Sequence, residues 1–202
     1  DHRDLHSFPT RRSSDLLSKN LAIGIALASS MMLIRAGIEM WVINPALTIP
    51  FLLPIALGSI AGYGYIAFLY FTSRHENIPQ DIKFKNPFSL KEALMMGLIF
   101  GITLALIKLA DQYVGNMGVY AVAAVSGIAD VDAIILSLSS LAKSTLHPST
   151  AHAAILIAIL ANSLAKALLV LFLGNAVLFR WIGAYFLISI GTFTAAALLT
   201  LL

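Results

Sequence analysis

Apolar runs long enough to cross a lipid bilayer, separated by short polar breaks, occupy almost the whole chain after its first sixteen residues. About 20 helical residues at a 1.5 Å rise cover the roughly 30 Å hydrocarbon core. On that measure six spans are predicted, over residues 17–41, 47–71, 90–110, 119–141, 149–173 and 181–202. The breaks carry the expected punctuation: Asn44-Pro45, the turn Gly115-Asn116-Met117-Gly118, the connection with Lys143, His147 and Pro148, and Gly174-Asn175. One substantial aqueous loop is expected over 72–91, where Arg74, His75, Glu76, Asp81, Lys83, Lys85 and Lys91 collect and Pro79 and Pro87 interrupt any helix. The fold class is therefore all-α, a polytopic membrane helical bundle.

Details within the runs support helices that pack closely. Pro50 and Pro54 fall in the first turns of the second span, where proline costs least. Gly58 and Gly62 make a small-xxx-small pattern, and Gly97 and Gly101 make a second in the third span; both pairs are expected at helix contacts. Ser89 followed by Glu92 reads as a capping box at the start of that third span. Tyr63, Tyr65, Phe68, Tyr70 and Phe71 read as interfacial belt and packing.

Composition agrees with this reading: 59% of residues are hydrophobic and 11% charged, far from a soluble domain. The net charge of +3 is small and scattered, which does not suggest nucleic acid. With no cysteine, disulfides, thiol catalysis and Cys-based metal sites are excluded. No Ser-His-Asp order with local support, HExxH, P-loop or dinucleotide fingerprint occurs, so neither an enzyme nor a cofactor is expected. His147 and His152 flank one turn, and two histidines alone do not define a metal site. Six crossings put the start of span one and the C-terminus on the same face. Lys19, Arg74, Lys83, Lys85, Lys91 and Lys143 then lie inside and Lys108 and Arg180 outside, which makes the start of span one and the C-terminus cytoplasmic in a bacterial inner membrane.

The first sixteen residues, DHRDLHSFPTRRSSDL, are polar and aperiodic and lack the apolar core and cleavage site of a signal peptide. One back-translation fits all of them, in a single frame, to an adapter oligonucleotide of short-read sequencing libraries. Residues 1–16 are therefore expected to be a disordered artefact, with the natural sequence starting near Leu17.

Chemistry concentrates in the fourth and fifth spans. Asp130 and Asp132 sit inside an apolar run, and an ionised Asp in hydrocarbon costs at least a few kcal/mol, so both should be buried and paired. At 1.5 Å per residue Asp130 is on the order of 20 Å into span four and Asn162 about 18 Å into span five, so they can be level. Lys166, one turn further on, is the expected counter-charge. Two residues apart on a helix, Asp130 and Asp132 point about 200° away from each other. Either Ser126-Gly127 marks a break in the helix, as in transporters whose interrupted helices bind ions, or Asp132 faces a different partner. The candidate cation or proton site is Asp130, Asp132, Asn162 and Lys166, with Ser126 and Ser137 as neutral oxygens. Its competing reading is a polar network that only fixes helix register. Arg35 with Glu39, and Lys108 with Asp111, are expected to pair within their own helices.

Lys85-Asn-Pro-Phe-Ser89, Ser126-Gly127-Ile-Ala-Asp130-Val-Asp132-Ala133 and Ala161-Asn162-Ser-Leu-Ala-Lys166, with Arg35 and Asn44-Pro45-Ala46-Leu47, resemble the C-terminal domain of unknown function in bacterial MgtC/SapB-type membrane proteins. The resemblance runs from Leu17 to Leu202. It implies an MgtC-like domain ahead of this one, missing here, and supplies no activity to carry over.

Overall fold

The computed structural model describes residues 11–72 and 90–201, with side chains over 18–72 and 94–201. Among these residues the chain forms seven helices: α1 (Arg11–Ile43), α2 (Pro45–Thr72), α3 (Leu90–Val114), α4 (Asn116–Ala129), α5 (Val131–Leu141), α6 (Pro148–Leu173) and α7 (Ala176–Leu201). All but α4 and α5, five in number, are long and apolar enough to cross a membrane. The helical membrane bundle is thus as the apolar runs predict. Helix α1 begins at Arg11, within the adapter-like segment. Helix α7 takes in Arg180 and Trp181, which the span prediction put at its edge. The expected aqueous loop falls almost entirely, and its capping box wholly, outside the residues described with side chains.

Close approach at small residues holds α1, α2 and α7 together. A side chain at Gly62 would lie 2.6 Å from Ser30 Oγ and 2.8 Å from Ser189 Oγ; one at Gly58 would lie 2.7 Å from Phe193 Cβ. In the space these glycines leave, Ser189 Oγ donates to the Gly58 carbonyl at 2.9 Å, and Ser30 and Tyr185 hydroxyls bond at 2.8 Å. Packing and interhelical hydrogen bonds of this kind, rather than a hydrophobic force, associate helices in lipid. Gly97 and Gly101 correct the expectation for α3: a side chain at either meets nothing within 4 Å. Both face away from the bundle, because the neighbours of α3 reach only part of its length.

That shortfall comes from α4 and α5, whose directions follow from their contacts. Thr150 Oγ1 donates to Asn116 Oδ1 at 3.1 Å, and Asn162 Nδ2 donates to the Gly127 carbonyl at 2.9 Å, so α4 runs parallel to α6. Arg35 pairs with Asp132 and Asn44 Nδ2 donates to the Ser139 carbonyl at 3.4 Å, so α5 runs parallel to α1. Lys166 meets Met32, and His152 Nε2 meets the Leu47 carbonyl at 3.0 Å, which sets α1 antiparallel to α6. Helices α4 and α5 therefore run in opposite directions. They form a hairpin that enters the bundle and returns to the same end.

The end of the bundle where α1 starts is termed proximal and the opposite end distal. The expected fourth span is this hairpin, entering from the distal end. Its 14- and 11-residue arms reach about 21 and 16 Å, short of the roughly 30 Å core. One crossing fewer places the end of α7 at the distal end, opposite the start of α1. The proximal half beside the hairpin stays unfilled. Along α3 the first buried side chains are accordingly Thr103 and Ile107, while Leu94 to Leu98 and Ile102 are exposed.

Candidate functional site

The hairpin bends at Asp130, where the backbone leaves the helix at φ −154 and ψ 109. Its N–H still closes the last turn of α4 on the Ser126 carbonyl at 2.7 Å. Its carboxylate then accepts from the Asp132 N–H at 2.9 Å and the Ala133 N–H at 3.4 Å, capping α5. An Asp at the N-cap with another in the first turn is the pattern that starts a helix, satisfying free N–H groups and the positive helix end. Gly127 lets α4 come against α6, since a side chain there would meet the Ala158 carbonyl oxygen at 2.6 Å. The break lies three residues beyond the Ser126-Gly127 position suggested by sequence.

A cavity of about 410 Å³ opens at the bend. Helix α1 contributes Ala28, Met31, Met32 and Arg35, the bend Ala129, Asp130 and Val131, and α6 Asn162 and Lys166. Arg35 and Asn162 are level with the bend, and the other α1 and α6 residues lie on its proximal side. The cavity thus occupies the space that the short hairpin leaves empty.

The expected residues divide unevenly over this site. Asp130, Asn162 and Lys166 line the cavity together. Lys166 is not the partner of Asp130, whose carboxylate is turned onto α5; its Nζ donates to Met32 Sδ at 3.1 Å, a weak acceptor. No carboxylate among the described residues stands at ion-pair distance from it. Asp132 is buried and paired with Arg35 through Oδ2 and Nη2. Ser126 supplies only its carbonyl to the bend, and Ser137 is buried further along α5, away from the cavity lining.

Arg35 pairs with Glu39 within α1 as expected, but it also lines the cavity, which sequence reading missed. Arg35 Nε is 3.7 Å from Glu39 Oε1, while the guanidinium reaches across to α5. Lys108 and Asp111 form no ion pair among the described residues, which corrects the expected link in α3. Buried oxygens without a hydrogen-bond partner include Asp132 Oδ1, Glu39 Oε2, Asn162 Oδ1 and Ser137 Oγ. Three of these four surround Arg35 and the bend. Acceptors predominate, so the arrangement suits a proton or a small cation. Among the described residues, no group of three or more His, Asp or Glu gathers as a metal-holding set.

Residues 8–174 match a family described as a domain of unknown function, DUF4010. The chain is also similar to an "Uncharacterized protein" of Aquifex aeolicus (strain VF5), 35% identical over 121 residues, 58% of this chain and 50% of the relative. The matched part thus spans about half the length of that relative. No solved structure matches the chain.

Proposed function

We propose for this chain, which belongs to the DUF4010 family, the role of an integral membrane protein that binds or moves a small cation or proton at mid-depth. The observation that carries this reading is the hairpin bend: Asp130 and Asp132 at its tip, beside Arg35, Asn162 and Lys166, at a cavity midway along apolar helices. Charged groups within a membrane are costly and are kept where they line a water-filled path or pair with one another. Half-helix ends at mid-depth recur as ion sites in transporters. On this reading water reaches the cavity from the proximal end, where the Arg35 side chain is 57% exposed in the fold. No catalytic chemistry is assigned.

Basic residues suggest the orientation. Lys19 and Arg180 are proximal, and the connection between α2 and α3, with Arg74, Lys83 and Lys85, joins proximal ends. Lys108 and Lys143 are distal. The proximal face is then cytoplasmic in a bacterial inner membrane, with the end of α7 on the opposite face, unlike the arrangement that six crossings imply.

Reconstitution into liposomes tests the reading, with internal dyes for protons, Na⁺ and Mg²⁺. Flux of one of them above protein-free liposomes is expected, and its loss in Asp132→Asn. A variant that folds normally and keeps full flux for every ion counts against it.

A second reading is an interaction module, favoured by the proximal half of α3, where Gly97 and Gly101 face outward. An MgtC-like domain is the partner implied by the resemblance. Gly101→Leu then abolishes complex formation, and no ion flux exceeds background; complexes unchanged by the substitution count against it.

A further inference from the structure

Glu39 and Asp132 come from different helices and meet on one guanidinium. Arg35 Nη2 holds Asp132 Oδ2, and Arg35 Nε stands 3.7 Å from Glu39 Oε1, too far for a hydrogen bond. Behind these contacts, Asp132 Oδ1 and Glu39 Oε2 are each buried and receive no hydrogen bond among the described residues. Asp132 as a whole is only 9% exposed. One cation therefore serves two carboxylates, and each keeps a buried oxygen to which no described residue donates. With both ionised, the triad holds an excess negative charge among apolar helices and two unsatisfied acceptors. Like-charged carboxylates sharing a site resolve this by keeping one proton between them.

Other charges near the pair do not remove the excess. Asp130, at the bend, adds negative charge, although its carboxylate is bonded to the α5 N–H groups. Lys166 on α6 approaches from the cavity side and is bonded to Met32. Helix α4 carries no ionisable side chain except Tyr120, and the described charges of α3, Lys108 and Asp111, sit near its distal end. A metal ion arriving at the pair meets the fixed guanidinium as a like charge, whereas a proton on one carboxyl becomes a donor.

Resting on the ion-handling reading above, we infer that Glu39 and Asp132 form a proton-binding pair that shares one proton, with Arg35 as its fixed counter-ion. Loading forms a single O–H bond with a proton from cavity water, and unloading returns that proton to water. Asp130, the more conspicuous acid at the cavity, serves as the cap that holds the bend.

Infrared spectroscopy of the purified full chain in lipid, in H₂O and D₂O at neutral pH, tests this. A protonated-carboxyl carbonyl band with a deuterium shift is expected in the natural sequence. It should disappear in Asp132→Asn and equally in Glu39→Gln, because the single carboxylate left pairs with Arg35 and stays ionised. Asp111→Asn keeps it. If Asp132→Asn does not fold, Glu39→Gln decides, its carboxylate being the loosely held one. No band in the natural sequence, or a band persisting in Glu39→Gln, overturns the inference. Ion flux without that band refutes the shared proton alone, whereas the band without any flux refutes transport and leaves the proton site standing.

Discussion

Two aspartates two residues apart perform separate tasks because the backbone bends at the first of them. Asp130 spends its carboxylate on the N–H groups of Asp132 and Ala133, and Asp132 turns to Arg35. Replacing Asp130 by Ala should lower stability by about 1 kcal/mol, and Asn should restore most of it, as helix caps do. Thermal unfolding in detergent measures both. Removing Arg35 is costlier: Arg35→Met leaves buried Asp132 without its cation, a change of roughly 1–3 kcal/mol, below that of a fully buried pair because Arg35 itself is half-exposed. Combining it with Asp132→Leu should recover most of that loss, and a double mutant no more stable than Arg35→Met contradicts the pairing. Asp130, Asn162 and Lys166 were legible as one neighbourhood from depth along the helices. Arg35 was not, because an acid four residues on offered it a sufficient partner within α1, and nothing local reveals that a long side chain bridges helices.

Among the elements, the long apolar helices α1, α2, α3, α6 and α7 were legible because hydrophobic length alone specifies them. Residues 119–141 were misleading for the same reason: a run of that length reads equally well as one crossing or as a hairpin. The sequence did carry a signal for the break, an N-cap Asp with a second Asp in the first turn, placed in mid-run where a helix start has no place in a straight span. The GxxxG patterns show a parallel limit, since spacing cannot tell which face meets a neighbour. Gly62→Leu should destabilise the bundle by at least about 1–3 kcal/mol through overpacking against Ser30 and Ser189. Gly101→Leu should leave the melting temperature of the isolated chain unchanged. Equal effects in a paired melting experiment contradict the packing described for α2.

At the scale of the molecule, the hairpin changes the topology while leaving the charge bias untouched. Six crossings put Lys143 with the cytoplasmic group and Arg180 outside; with a hairpin these two exchange places and the asymmetry of the others persists. Counting basic residues therefore could not separate the two arrangements. The unfilled proximal half, the cavity and the proposed ion route all follow from the hairpin. Since the chain lacks cysteine, single cysteines report on it cleanly. The most direct measurement is labelling of Gln112→Cys, Ser144→Cys and Ala129→Cys by a membrane-impermeant thiol reagent, in sealed vesicles of each orientation. Gln112→Cys and Ser144→Cys, flanking the hairpin, should react from one and the same face, and Ala129→Cys, at the cavity, from the other. Reaction of Gln112→Cys and Ser144→Cys from opposite faces would show a continuous fourth span and contradict the account.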